Sequence, residues 1–310
     1  MSEVYRIEHT TTYDYDADVT DSYGLAYLRP ADLEHQVCLA HELRIEPTAS
    51  DTFPVEDVHG NAATYFHVTI SHRRLAVRGV SVVEVRERAY EESVLATAWE
   101  QAVPQVHPER LDWEATDFTL PSPLIGLEAS AAVAAYAAPS FPPGRAIGEA
   151  VDELTHRIHT DFSYRTGVTG VGTSVTDVMD RRAGVCQDFA QVLIACLRSQ
   201  GLAGRYVSGY LATEPPPGQR RLVGVDATHA WAECWLPDRT WLALDPTNDL
   251  RCGAGHATVA RGRDYADVPP VRGVIFTDAQ ASQLHVSVDM RPLADYAPAT
   301  EGQVPTQTRR

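Results

Sequence analysis

The chain has 310 residues, 44% of them apolar, and carries 26 basic against 42 acidic side chains for a net charge of −16. That length suits one large domain or two ordinary ones, and the apolar share is enough for a real core. The acidic balance argues against a nucleic-acid binder, which shows a basic face, and against docking on an anionic membrane.

The start, MSEVYRIEHTTTYDYD, has neither a basic leading segment nor an apolar stretch, so it does not read as a secretory signal. No apolar run reaches the ~20 residues of a spanning helix. The expected location is the cytoplasm, where thiols stay reduced. Five cysteines, with no C-x-x-C pair among them, favour neither a disulfide framework nor a structural zinc site.

Residues 1–95 read as an antiparallel, sandwich-like β-domain. VYRIEHTTTYDY is rich in β-branched and aromatic residues, and HELRIEP alternates with Leu43 and Ile45 on one face. HGNAATYFHVTISHRRLAVRGVSVVEV holds two or three strands with turn signals near Gly60-Asn61 and Gly79. His9, His35, His41, His59, His67 and His72 are scattered without ligand spacing and read as structural.

Residues 96–140 read as a linker whose LEASAAVAAYAA (127–138) forms a short helix ending before Pro139. The core is expected over 141–275. Ile147, Val151, Leu154 and Ile158 form the apolar stripe of an amphipathic helix from about Pro143 to Thr160. His156 and His159 lie on that helix without further ligands nearby. RTGVTGVGTSVTDV (165–178) is a Gly/Thr loop that lacks the Gly-Lys-Ser/Thr ending of a phosphate loop. Three strands follow the next helix: GRYVSGYLA, THAWAECWL and WLALDPTND, separated by the loop TEPPPGQRR and the turn PDRT. Residues 276–310 leave one clear strand, LHVSVDM (284–290), and a polar tail that reads as disordered.

RRAGVCQDFAQVLIACLRSQGL (181–202) is the informative stretch. After Gly184 the residues from Phe189 to Leu197 are apolar on most of a helix circumference, so the helix is central and buried, and Gly201 ends it. Cys186 therefore sits at the start of a buried helix, where free N–H groups and the dipole favour the thiolate and offer donors to an oxyanion. Cys196 lies roughly 15 Å further along the axis, too far for a disulfide, and reads as core. Asp188 reads as a first-turn carboxylate. A nucleophilic cysteine needs a base, and the base an orienting group. His229 and Asp245 offer these on two strands that form a hairpin. If Leu236 pairs with Thr240, Asp245 lies opposite Trp231, one diagonal step from His229 on the same face, about 7–8 Å away. A one-residue slip would separate them.

GVCQDFA, THAWAECWLP and WLALDPTND resemble, in that order, the three signature segments of the transglutaminase-like superfamily, over about residues 145–250. The N-terminal β-module and GRDYADVPPVRG (262–273) resemble the flanks of bacterial members. The resemblance implies an α+β fold: the β-domain followed by a papain-like core in which the nucleophile helix packs on an antiparallel sheet. It also implies a triad with Cys186 as nucleophile, His229 as base and acid, and Asp245 as orienter. Tyr164, Gln187 and Trp231 are candidates for oxyanion or substrate contacts. Cys234 alternates away from His229 and reads as core, whereas Cys38 and Cys252 have no identifiable partner.

Three readings of function remain open. One is amide acyl transfer through a Cys186 thioester. The second is hydrolysis of a peptide or isopeptide bond by the same triad. The third is a non-catalytic binding module. A peptide, protein or small amide is the expected partner, and no cofactor, metal, nucleic acid or membrane is expected. The sequence carries no signal for an oligomeric state. All 26 basic residues are arginine, so no lysine of the chain can serve as an amine acceptor.

Overall fold

The computed structural model describes residues 2–107, 110–126, 130–213 and 228–295. The loop TEPPPGQRR beyond Thr213 and the tail after Asp295 lie outside the described residues. No described helix is long and apolar enough to cross a membrane.

The N-terminal strands are β1 (Ser2–Ala26), β2 (Gln36–Glu46), β3 (Asp51–Glu56), β4 (Ala62–Val68) and β5 (His72–Arg86), ordered β2-β5-β1-β4-β3. Period-two patterning drives them: Tyr5, Ile7, His9 and Thr11 are buried in alternation along β1, as are Val83 and Val85 on β5. Register breaks between Asp14 and Val19. This lets one 25-residue strand serve two halves of the sheet. One half has its own core around Val19, Phe66 and Val77. In the other, Tyr5, Ile7, Val83 and Val85 join the main core.

The short linker helix is α1 (Ser130–Ala137). The amphipathic helix α2 (Ile147–Asp161) buries Ile147, Val151, Leu154 and Ile158 completely. It begins at Ile147 and not near Pro143. Arg145 N–H bonds back to Pro142 O at 3.2 Å, and Gly144 turns left-handed at φ 76°, so the chain makes a tight turn before the helix can start. After α3 (Val175–Arg181) comes the buried helix α4 (Cys186–Ser199), which starts at Cys186. It ends as read: Leu202 N–H bonds to Leu197 O at 3.1 Å and Gly201 N–H to Arg198 O at 3.0 Å, with Gly201 at φ 79°, a Schellman termination.

The core sheet contains β6 (Gly204–Leu211), β7 (His229–Trp235), β8 (Trp241–Asp245), β9 (Leu250–Arg251) and β10 (His256–Gly262), ordered β9-β8-β7-β6-β10. Ala230, Ala232, Cys234, Leu242 and Leu244 pack with the buried side of α4. The α+β fold with a β-rich N-terminal region and the helix that starts at Cys186 packed on an antiparallel sheet is thus present.

Two features tie the halves together. First, β11 (Val271–Thr277) and β12 (Ser282–Pro292) pair with β1, so residue 275, the expected end of the core, falls inside a strand of the N-terminal sheet. Second, side-chain amides complete an edge of β10. Gln36 bonds both Thr258 O and Thr258 N–H at 2.8 Å, and Asn61 bonds Arg261 O at 2.6 Å and Arg261 N–H at 2.7 Å. Both amides act as a missing strand would. His9 adds a buried bond across the seam, its Nδ1 lying 3.0 Å from the Tyr210 hydroxyl.

Candidate active site

The start of α4 is shaped by Asp188. Val185 is extended, and its N–H donates to Asp188 Oδ2 at 2.7 Å. The Thr169 hydroxyl donates to the same oxygen at 2.7 Å. Burial pushes the Asp188 carboxyl up, against these two bonds. Gly184 is required here, because a Cβ at that position would lie 2.5 Å from Asp188 Oδ2. The result places Cys186, half-buried, in the first turn of the helix, where amide N–H groups have no intrahelical acceptor. Its Sγ lies 4.0 Å from Thr228 O, beside the start of β7.

The β7–β8 hairpin has the register that brings His229 and Asp245 together. Trp235 pairs with Trp241 and Ala232 with Leu244, and Leu236 N–H bonds Thr240 O at 2.9 Å. The turn holds because Asp238 Oδ1 accepts from Thr240 N–H and hydroxyl at 3.1 and 2.7 Å. His229 Nε2 lies 2.6 Å from Asp245 Oδ2. Burial opposes charge on His229, but hydrogen bonds to Asp245 and Cys186, and their charges, outweigh it and push the imidazole up to about 10. With Nε2 committed to Asp245, Nδ1 is the ring atom left for the thiol.

Asp245 is fully buried and accepts from five donors. Oδ1 takes Thr247 and Asn248 N–H at 2.9 and 3.2 Å. Oδ2 takes His229, Asn248 Nδ2 at 2.7 Å and His256 Nε2 at 3.1 Å. Burial alone would raise its pKa; the bonds from His229, His256 and Asn248 hold it well below the usual carboxylate range. Asn248 and His256 were missed in the sequence. Asn248 sits three residues past Asp245 in WLALDPTND and was open to discovery as a turn residue. His256 had no local signal, since only the packing of β10 beside β6 brings it near.

The remaining candidates fall in different places. Tyr164 is 55% exposed, edge-on to Phe189. Burial and then the charges of Cys186 and Asp188 raise its phenol pKa, which puts it in the thiol's surroundings. Gln187 is occupied elsewhere, its Nε2 donating to Val171 O at 3.1 Å. Trp231 is fully buried, with its ring 6.1 Å from His229 and 5.3 Å from His256. It therefore backs the histidines and offers no open wall to a substrate. Cys196, Cys234 and Cys252 are buried, and burial pushes the first two up to about 12. The GRDYADVPP segment pins the halves together: Asp264 accepts Leu124 N–H at 2.6 Å and Asp267 lies 3.5 Å from His59.

His229, Asp245 and His256 also have ligand atoms within 4.8 Å of one another, a set with the chemistry of a metal site. Both imidazoles already bond the same carboxylate oxygen, so a metal taking that oxygen would displace the His229 bond.

The superfamily pattern for a transglutaminase-like core matches residues 135–246, which include all three of Cys186, His229 and Asp245. The bacterial transglutaminase-like N-terminal region matches residues 5–84. An uncharacterized protein of Mycobacterium tuberculosis is 48% identical over 93% of this chain and 92% of its own. The chain belongs to the transglutaminase-like superfamily. A protein-glutamine gamma-glutamyltransferase of Pseudomonas aeruginosa is 36% identical over 92 residues, 29% of this chain and 14% of that one. In fold, the transglutaminase-like chain matches the crystal structure of a candidate cysteine protease from Cytophaga hutchinsonii. The TM-score is 0.69 over 94% of this chain and 93% of that one, at 21% identity.

Proposed function

We propose that this transglutaminase-like protein is an enzyme that transfers the acyl group of a carboxamide through a thioester on Cys186. The observation that carries the reading is the 2.6 Å bond from His229 to Asp245 with Cys186 Sγ 4.0 Å from the carbonyl of Thr228, the residue before His229. In this reading Cys186 Sγ attacks the carbonyl carbon of a peptide, protein or small-molecule amide. Negative charge on the oxygen is met by first-turn N–H groups of α4, beginning with that of Cys186, and Tyr164 stands as a second donor. The His229 imidazolium passes its Nδ1 proton to the departing nitrogen as the C–N bond breaks, leaving a thioester. An amine then attacks, His229 takes its proton, and the new amide releases the thiolate. Asp245 stays ionised and holds the imidazole orientation throughout. The name of the Pseudomonas aeruginosa relative supports a glutamine side chain as acyl donor.

Incubation with a blocked glutaminyl peptide, with and without a primary amine, tests this. The expected result is a Cys186 acyl adduct in the intact-mass spectrum and an amine-dependent product, both absent in Cys186→Ala. An adduct resolved by water alone would replace transfer by hydrolysis. No adduct with any amide would sink the enzyme reading.

A further inference from the structure

On the same face of β7 as His229, four residues further along, Glu233 is buried with no side-chain exposure. Three guanidinium groups surround this one carboxylate. Arg88 donates at 2.8 Å and Arg205 at 2.6 Å, and Arg261 Nε stands 3.4 Å away. The cluster thus carries two positive charges in excess. Such an excess is unfavourable in a site withdrawn from water unless an anion balances it. Burial lowers the proton affinity of Arg205 and Arg261 even beside Glu233. The Nε atoms of Arg88 and Arg261 and Nε2 of His35 are buried without a hydrogen-bond partner, and the two guanidinium N–H groups are donors of the kind an oxyanion takes.

The cluster forms the floor of a cleft of about 570 Å³ between the N-terminal sheet and the core. That is the size of a small-molecule site. Tyr90 and Trp241 supply aromatic surface in it, and Arg205 is stacked 3.9 Å over the Trp241 ring. Glu34, Glu87, Glu91 and Asp238 also line the cleft, so the positive excess is confined to the floor. Acidic walls above a basic floor admit one anionic head group and repel a long polyanion.

We propose that this seam is a binding site for a small ligand bearing a single phosphate or carboxylate head, seated against Arg88, Arg205 and Arg261. The fully buried Trp231 lies between Glu233 and His229 along the strand, so the site is separate from Cys186.

The test is calorimetric titration of the full chain, in chloride buffer, with inorganic phosphate and with benzoate. Saturable one-site binding of either probe is expected, and the preferred probe names the head group. Arg261→Gln should weaken that binding at least tenfold while alkylation of Cys186 by iodoacetamide is unchanged. Arg261 donates no side-chain hydrogen bond to any described residue, so this variant should keep its fold. Glu233→Gln, which removes the one anion of the floor among the described residues, should tighten binding several-fold. If neither probe binds saturably, or if Arg261→Gln leaves the affinity unchanged, the cluster is only a structural bolt between the halves and the proposal is overturned.

Discussion

Asp245 illustrates how a single carboxylate is kept in one charge state. Five donors converge on two oxygens, three of them side chains: His229 on the hairpin, Asn248 just past it and His256 at the start of β10. Removing the His256 donor, as in His256→Phe, takes away a bond to a charged group worth about 1.5–3 kcal/mol. We expect formation of the Cys186 acyl adduct to slow on the order of tenfold and the acid limb of its pH profile to move upward. An unmoved limb would mean His256 only fills space. His229 makes the opposite prediction. Its folded pKa of about 10 lies above the ordinary 6.5, so its stabilising contribution is complete below pH 6.5 and is lost as pH rises towards 10. Melting temperatures of the wild type and His229→Gln should therefore converge over that window, and parallel curves would refute the pairing. Iodoacetamide should label Cys186 first, because Cys196, Cys234 and Cys252 are buried and burial pushes up the thiol of Cys38, the other half-buried cysteine.

At the scale of elements, the helix start and the hairpin are the two devices that assemble the site, and each depends on a polar side chain that touches no substrate. Asp188→Ala unties Val185 N–H and Thr169 together. It should cost about 1–2 kcal/mol in denaturant unfolding and slow Cys186 alkylation, since the first turn loses its anchor. These elements were legible because their signals are local: an apolar helix closed by Gly201, a turn closed by Asp238 and Thr240, and a register set by loop length. The start of α2 was legible only to within a few residues. Its stripe is periodic, but the turn at Gly144 shortens it. For Trp231 the sequence left both a wall and a core role open, because an aromatic residue on the site's strand face looks the same in sequence whether it walls a cleft or backs a histidine.

Across the whole molecule, the two halves are joined by polar groups that each need a partner from the other side. Gln36 and Asn61 complete the β10 edge, and Gln36→Leu should leave Thr258 N–H buried and unpaired while Thr258 O keeps its 3.0 Å bond from Ala31 N–H, a loss of about 1–3 kcal/mol measurable by urea unfolding. Glu233→Ala, which leaves three guanidinium groups without their counter-ion, should cost more, about 3–5 kcal/mol. What the sequence determined by itself is the buried helix that starts at Cys186 and the hairpin whose register sets His229 beside Asp245, because those follow from short-range periodicity, turn chemistry and residue type. What only the tertiary structure decided is the return of β11 and β12 to β1, the arrival of His256 at Asp245, and the three arginines around Glu233. Those depend on which strand lies beside which, and partners more than a hundred residues apart, such as Arg88 and Glu233, leave no periodic trace in the chain.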